Sequence, residues 1–264
     1  MAEIVVVDDT AGRLLGAIDG ATVVPSPGRG PYAARNVGWR STGADVVLFL
    51  DVRSRPRPDW ARRLAAAFAD PSVAVAGSDV VTRGGSSVGA RAGERHQFFR
   101  IEKYMEGFYR PYFPTCNLAV RRADLVAVDG FRETRSGADA DLCWRVLASP
   151  GRRLEAVPEV LMEWVPRDTV RGYLEQSYRY GRSNRRLRDG WRSAGAPRRE
   201  PLAWWRLGPQ VSRRALRLSW ARMRRDQDAL VEQLGDASRL AFELGYRLAG
   251  RGRGSGRLGP DGVP

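Results

Sequence analysis

Short apolar runs punctuate the first 80 residues of the chain and stop at acidic or turn-forming positions. Ile4 to Val7 runs into Asp8 and Asp9, Val46 to Leu50 into Asp51, and "SVAVAGSDVV" forms a longer run from Ser72 to Val81. Runs of this length, rich in β-branched residues, predict buried strands, and a weaker one in "ATVVPSP" is stopped by Pro25. Between them the pattern changes period. "GRGPYAARNVGWRSTGAD" predicts a helix from about Tyr32 to Ser41 with Gly43 just past its end, and "RPDWARRLAAAFADP" a helix with Pro58 near its start. Strands alternating with helices imply a parallel, doubly wound sheet, whose ligands sit at the carboxyl ends of the strands. Asp8, Asp9 and Asp51 all fall there.

Farther along, residues 83–113 are polar and aromatic and follow neither period. "FPTCNLAVRRADLVAVDGF" predicts a strand and a short helix, and "GADADLCWRVLASPGRRLEAVPEVLMEWVP" a helix and a strand. "DTVRGYLEQSYRYGRSNRRLRDGWR" predicts a long helix capped by Asp168 or Thr169. After Gly195 a linker-like stretch leads to two amphipathic helices around 210–225 and 228–249. The Gly/Arg/Pro-rich end, 251–264, has the composition of a disordered tail.

Composition changes the picture mainly through charge. Residues 1–164 carry 22 basic and 20 acidic side chains, and residues 165–264 carry 22 and 10, so the net +14 sits almost wholly in the back of the chain. With one histidine, His96, a histidine-rich zinc site is excluded, and two cysteines without a CxxC pair read as buried thiols in a reducing compartment. No apolar run is long enough to span a bilayer. A nucleic-acid role draws only on charge, because no base-reading motif accompanies it.

Six stretches in order, "VVVDD", "GPYAARNVG", "LFLDVR", "CNLAVRRADLVAVDGF", "GADADLCWR" and "YLEQSYRYG", resemble the family 2 glycosyltransferases, from about residue 3 to 189. The resemblance implies an α/β, GT-A-like (Rossmann-like) fold with a mostly parallel sheet flanked by helices, here carrying a C-terminal basic helical extension. The expected organisation is a glycosyltransferase domain over 1–190, linker and basic helices over 191–250, and the tail. It also implies transfer of a sugar from a nucleotide-diphosphate donor to an acceptor hydroxyl, with inversion. By resemblance, Asp139 is the general base, with Ala138 where a glutamate usually stands. Asp8, Asp9, Arg35, Asp51 and Arg53 fall on the donor side. Asp141, Gln176, Arg179 and Tyr180 fall on the acceptor or phosphate side, the last three on one helix face. For Asp139 and Asp141 the plain alternative is acidic charge complementing a helix N-terminus. For Gln176, Arg179 and Tyr180 it is a partly buried helix face.

Two departures matter. The family's Asp-x-Asp, whose second aspartate helps hold Mg²⁺ or Mn²⁺, reads Asp51-Val52-Arg53 here, and Trp164 aligns with a position that often carries a metal-binding histidine. Asp51 is left as the single metal-ligand candidate. Either Arg53 supplies a fixed positive charge at the phosphates, or the enzyme is impaired and acts as a binding or scaffolding relative at a membrane surface. The chain also starts at what would be the family's second strand, so a first strand and helix are expected to be missing. The basic helices, with Trp220, Met223, Arg213, Arg214, Arg217, Arg224 and Arg225, suit an anionic membrane surface and a lipid-linked acceptor. A glycan or small-molecule hydroxyl serves equally as acceptor. These readings describe a cytoplasmic protein, peripheral at the inner face of the membrane.

Overall fold

The computed structural model describes residues 3–12, 15–249 and 258–260. Two parallel strands, β1 (Val5–Asp8) and β2 (Thr22–Pro25), form a small sheet of their own and lead into α1 (Pro31–Arg40). Then come β3 (Val46–Phe49), β4 (Ser54–Pro56), α2 (Trp60–Ala66), β5 (Val73–Thr82), α3 (Val88–His96) and α4 (Ile101–Met105). They are followed by β6 (Leu118–Arg121), α5 (Arg122–Ala127), α6 (Ala138–Val146), β7 (Arg153–Trp164) and α7 (Val170–Gly190). Two helices close the described chain, α8 (Trp204–Met223) and α9 (Gln227–Leu248).

The larger sheet has the order β3-β6-β5-β7-β4. Here the sequence expectation needs correction: only β5 and β7 pair in parallel, and the β3–β6, β5–β6 and β4–β7 pairings are antiparallel. The cause is the aperiodic stretch after β5. It makes a helical excursion and returns the chain between β3 and β5, so that β6 runs against both. Strand-helix alternation in the first 80 residues could not report a strand inserted from later sequence.

β5 is buried along nearly its whole length, as its run of small and β-branched residues requires of a central strand. Gly77 is obligatory within it, because a Cβ there would lie 2.3 Å from the Phe113 ring. β7 tolerates Pro158 because the ladder steps from Ser78–Val157 to Asp79–Val160, so the proline falls in a bulge and owes no hydrogen bond. β4, absent from the sequence reading, is a three-residue edge strand on β7 with Arg55 and Pro56 in it. No alternation announces so short a strand. Its place matters, because pairing Ser54 with Trp164 brings the loop after β3 against the end of β7.

Thr169, not Asp168, caps α7 by accepting from the Gly172 amide at 3.0 Å. α7 and α9 cross closely through glycines. A Cβ on Gly181 would stand 1.9 Å from the Phe242 carbonyl oxygen, and one on Gly245 would stand 2.0 Å from that of Tyr178. α8 starts at Trp204, inside the stretch expected to be linker, and continues through Pro209. Leu207 and Ala221 are buried, while Trp205 (71% exposed), Leu216 (71%) and Met223 (73%) face outward. Most of the expected disordered tail lies outside the described residues. Leu258–Pro260 within it pack against the body, where the Gly259 amide donates to Asp141 at 2.9 Å.

Candidate active site

The strand ends, α1, α6, α7 and α9 enclose a cavity of about 720 Å³. Of the residues singled out from sequence, Arg35, Asp51, Arg53, Asp139, Gln176, Arg179 and Tyr180 line it, as does Trp164. Asp8, Asp9 and Asp141 do not.

Asp139 stands in the first turn of α6, two residues after Gly137, which takes φ +93° at the N-cap. Its carboxylate is half-buried and accepts from the amides of Ala140 (3.1 Å) and Thr115 (3.4 Å). Burial raises its pKa above the ordinary carboxylate value, against the opposing pull of those amides, the Arg35 guanidinium and the Tyr32 hydroxyl. Arg35 also lies 5.1 Å over the Tyr32 ring, so α1 presents an arginine and a phenol to one carboxylate. Asn36, next to Arg35, is structural. It bonds both the amide (2.8 Å) and the carbonyl (2.6 Å) of Phe131, which fixes α1 to the segment leading into α6. Gly130 is required beside it, since its φ is +66° and a Cβ would meet the Asn36 Oδ1 at 2.5 Å.

The opposite wall comes from α7. Gln176 is buried and donates to the Tyr180 hydroxyl at 2.9 Å, and the Arg179 guanidinium sits 5.8 Å from the Tyr180 ring centroid. Burial pushes the Tyr180 phenol up to about 12. The helix face read from the i, i+3, i+4 spacing thus faces the cavity.

At the end of β3, Asp51 closes a tight turn. Its Oδ1 accepts from the Arg53 amide (2.8 Å) and, more weakly, from the Ser54 hydroxyl (3.4 Å), while its Oδ2 accepts from the Trp164 indole (3.3 Å). The Arg53 side chain reaches across to the end of β7, where Nη1 donates to the carbonyls of Pro166 (2.6 Å) and Val165 (3.3 Å). Among the described residues no group of three or more His, Cys, Asp or Glu side chains could hold a metal. Asp51 is a single carboxylate whose two oxygens already accept hydrogen bonds, and a guanidinium stands two residues on, where a second carboxylate would join it and the substrate phosphates around a divalent cation. The residues present do not fit the family's metal.

The remaining acidic candidates serve the scaffold. Asp141 is fully buried, with Arg145 Nε on one oxygen (2.9 Å) and the Trp191 indole (3.0 Å) and the Gly259 amide on the other. Asp9 gathers the Ser26 hydroxyl and the amides of Gly28 and Gly30, which shapes the loop ahead of α1. Asp8 is buried and accepts from the amides of Thr10 and Leu15.

Sequence reasoning passed over Tyr32, Lys103, Tyr104, Arg135, Arg167 and the α9 residues Arg239, Phe242 and Glu243, all of which line the cavity. Tyr32 was within reach, because it shares a helix turn with Arg35. The α9 group carries no local signature at all.

Residues 2–129 match the family described as "Glycosyl transferase family 2". The chain is 33% identical over 162 residues to the pre-mycofactocin glycosyltransferase of Mycobacterium tuberculosis, in two strains. That match covers 59% of this chain and 34% of the relative, so the chain spans about a third of the length of the curated relatives it matches. Among solved structures it is similar to a mannosyltransferase of Pyrobaculum calidifontis in complex with GDP-Man and Mn²⁺. The TM-score is 0.58 at 19% identity, over 93% of this chain and 76% of the other. The fold is therefore α/β, with a curled central sheet and flanking helices similar to GT-A glycosyltransferases, and the match to glycosyl transferase family 2 takes in its first strands and helices, residues 2–129.

Proposed function

We propose that the protein transfers a sugar from a nucleotide-diphosphate donor to an acceptor hydroxyl with inversion at the anomeric carbon, Asp139 being the general base. The observation that carries this reading is Asp139 itself: a carboxylate on the wall of a large cavity, with its pKa raised, facing Arg35 and Tyr32. A hydroxyl is a poor nucleophile until its proton is taken. The Asp139 carboxylate accepts that proton while the acceptor oxygen bonds to the anomeric carbon. The bond from that carbon to the diphosphate oxygen breaks on the opposite face, and the nucleoside diphosphate leaves with the electron pair. A raised carboxylate pKa makes a stronger base for the acceptor proton. Arg35, Asp51 and Arg53 belong to the donor side in this reading, and Gln176, Arg179 and Tyr180 to the acceptor or phosphate side. The test is release of nucleoside diphosphate from a panel of nucleotide sugars, with the product's anomeric configuration read by NMR. Asp139→Asn should lower turnover by roughly 10²-fold or more. Undiminished turnover in that variant, or retention of configuration, would remove the assignment.

We further propose that α8 rests on an anionic bilayer, which would place the cavity near lipid-linked hydroxyls. Support comes from the outward Trp205, Leu216, Trp220 and Met223 on a helix that also carries Arg206, Arg213, Arg217 and Arg222. Among the described residues no helix is long and apolar enough to cross a membrane, so any contact made by these helices is at a surface.

A further inference from the structure

We infer that the donor's diphosphate is held by guanidinium groups in place of a divalent cation, with Arg53 at the position of the metal. The inference rests on the nucleotide-sugar reading of the cavity and goes beyond it.

Three observations carry it. The first is the state of Asp51. Both of its oxygens already accept hydrogen bonds, one from the Arg53 amide and the other from the Trp164 indole. An indole N–H cannot ligate a metal, and it neutralises by hydrogen bonding what a metal would neutralise by charge. The second is the seat of Arg53. Its backbone carbonyl accepts from the Val165 amide at 2.9 Å, and its Nη1 is fixed to the Val165 and Pro166 carbonyls. Nε and Nη2 have no protein partner among the described residues. A guanidinium held at one nitrogen, with the rest of its fork open to the cavity, is preorganised for a phosphate oxygen pair. Arg167 follows Pro166 directly and also lines the cavity.

The third is charge. Eight cavity-lining residues are arginine or lysine and three are acidic, a surplus of five positive charges before any ligand enters. Lys103 is spent on the carbonyls of His96 and Gln97, and Arg199 pairs with Glu243. Arg239 lies 3.9 Å from Asp236, and Arg35, Arg53, Arg135, Arg167 and Arg179 remain against the carboxylates of Asp51 and Asp139. Such a field attracts a diphosphate and repels a free divalent cation. Stabilising the departing diphosphate needs fixed positive charge, and guanidinium groups supply it without a metal.

The test is calorimetry with GDP and UDP on the full chain, once with chelator and once with Mn²⁺. Wild type should bind at least one of them with a Kd that differs less than about threefold between the two conditions. Arg53→Ala should weaken binding in chelator by roughly 10- to 100-fold, the range for losing a hydrogen bond to a charged group, and Arg53→Lys should recover part of it. Arg53→Asp should bind poorly in chelator and gain affinity on adding Mn²⁺, and an unchanged melting temperature would show that each variant is folded. If wild-type binding collapses in chelator, or Arg53→Ala binds like wild type there, the inference is overturned while the nucleotide-sugar reading survives. If neither nucleotide binds under either condition, both fall.

Discussion

Asp139 and Asp141 stand two residues apart on α6, and their environments give them opposite work. Asp141 is sealed against Arg145, and the pair also holds the carbonyls of Val128 and Gly130 through the guanidinium. Breaking a buried pair from one side leaves an uncompensated charge, so Asp141→Ala should cost about 3–5 kcal/mol in chemical denaturation. Asp139 should behave in the reverse way. Burial raises its pKa in the folded state, so the folded protein binds this proton more tightly than the unfolded chain. The stabilising contribution is full below the unfolded pKa and is lost as pH rises through the folded one. Asp139→Asn, which stays neutral, should therefore melt higher than wild type at neutral pH and match it in acid. Melting curves across pH decide this, and a variant that melts lower at neutral pH would refute the burial argument. The same shift places the acid limb of the pH–rate profile above the ordinary carboxylate value. Both aspartates were legible as acidic positions in one motif. Only the i, i+4 spacing of Asp141 and Arg145 hinted at the difference, and the decisive donors, Trp191 and Gly259, lie far along the chain.

At the scale of elements, the cavity depends on two joins. Pairing of β4 with β7 sets Asp51 and Arg53 against Trp164, and the glycine crossing sets α9 over α7. Gly181→Ala tests the second join. Alanine gains roughly 1 kcal/mol in helix propensity, but its Cβ meets backbone rather than a side chain that can turn away. Overpacking costs about 1–3 kcal/mol, so a lower melting temperature is expected. Nucleotide affinity should shift with it, because Phe242 and Glu243 line the cavity on the displaced helix. The long periodic elements, β5, α7 and α9, were readable because burial imposes a repeat along them. The direction of β6, the existence of β4 and the role of α9 were not, since each is settled by contacts between distant segments that leave no period behind.

Over the whole molecule, charge is divided as sharply as structure. The back 100 residues carry a surplus of 12 and the front 164 a surplus of 2. If α8 meets a bilayer as proposed, co-sedimentation with phosphatidylglycerol vesicles should fall steeply as salt rises, because the Debye length shrinks from about 10 Å at 0.1 M to about 3 Å at 1 M. Phosphatidylcholine vesicles should bind little. Trp205→Glu and Leu216→Glu, both at exposed positions, should abolish sedimentation without lowering the melting temperature. Equal binding to neutral vesicles, or tight sequence-selective binding to DNA, would point to a different partner.

The bond between Asp141 and Gly259 has a consequence in time. The two residues are 118 positions apart, and a ribosome adds about 5–20 residues per second. The helix that carries Asp139 is thus synthesised roughly 6–24 s before the amide that completes the donor set of Asp141 is made. Through that interval one oxygen of a carboxylate destined for the interior lacks a donor it will later have. Chaperones and proteases meeting the nascent chain therefore encounter the α6 region before its clasp exists.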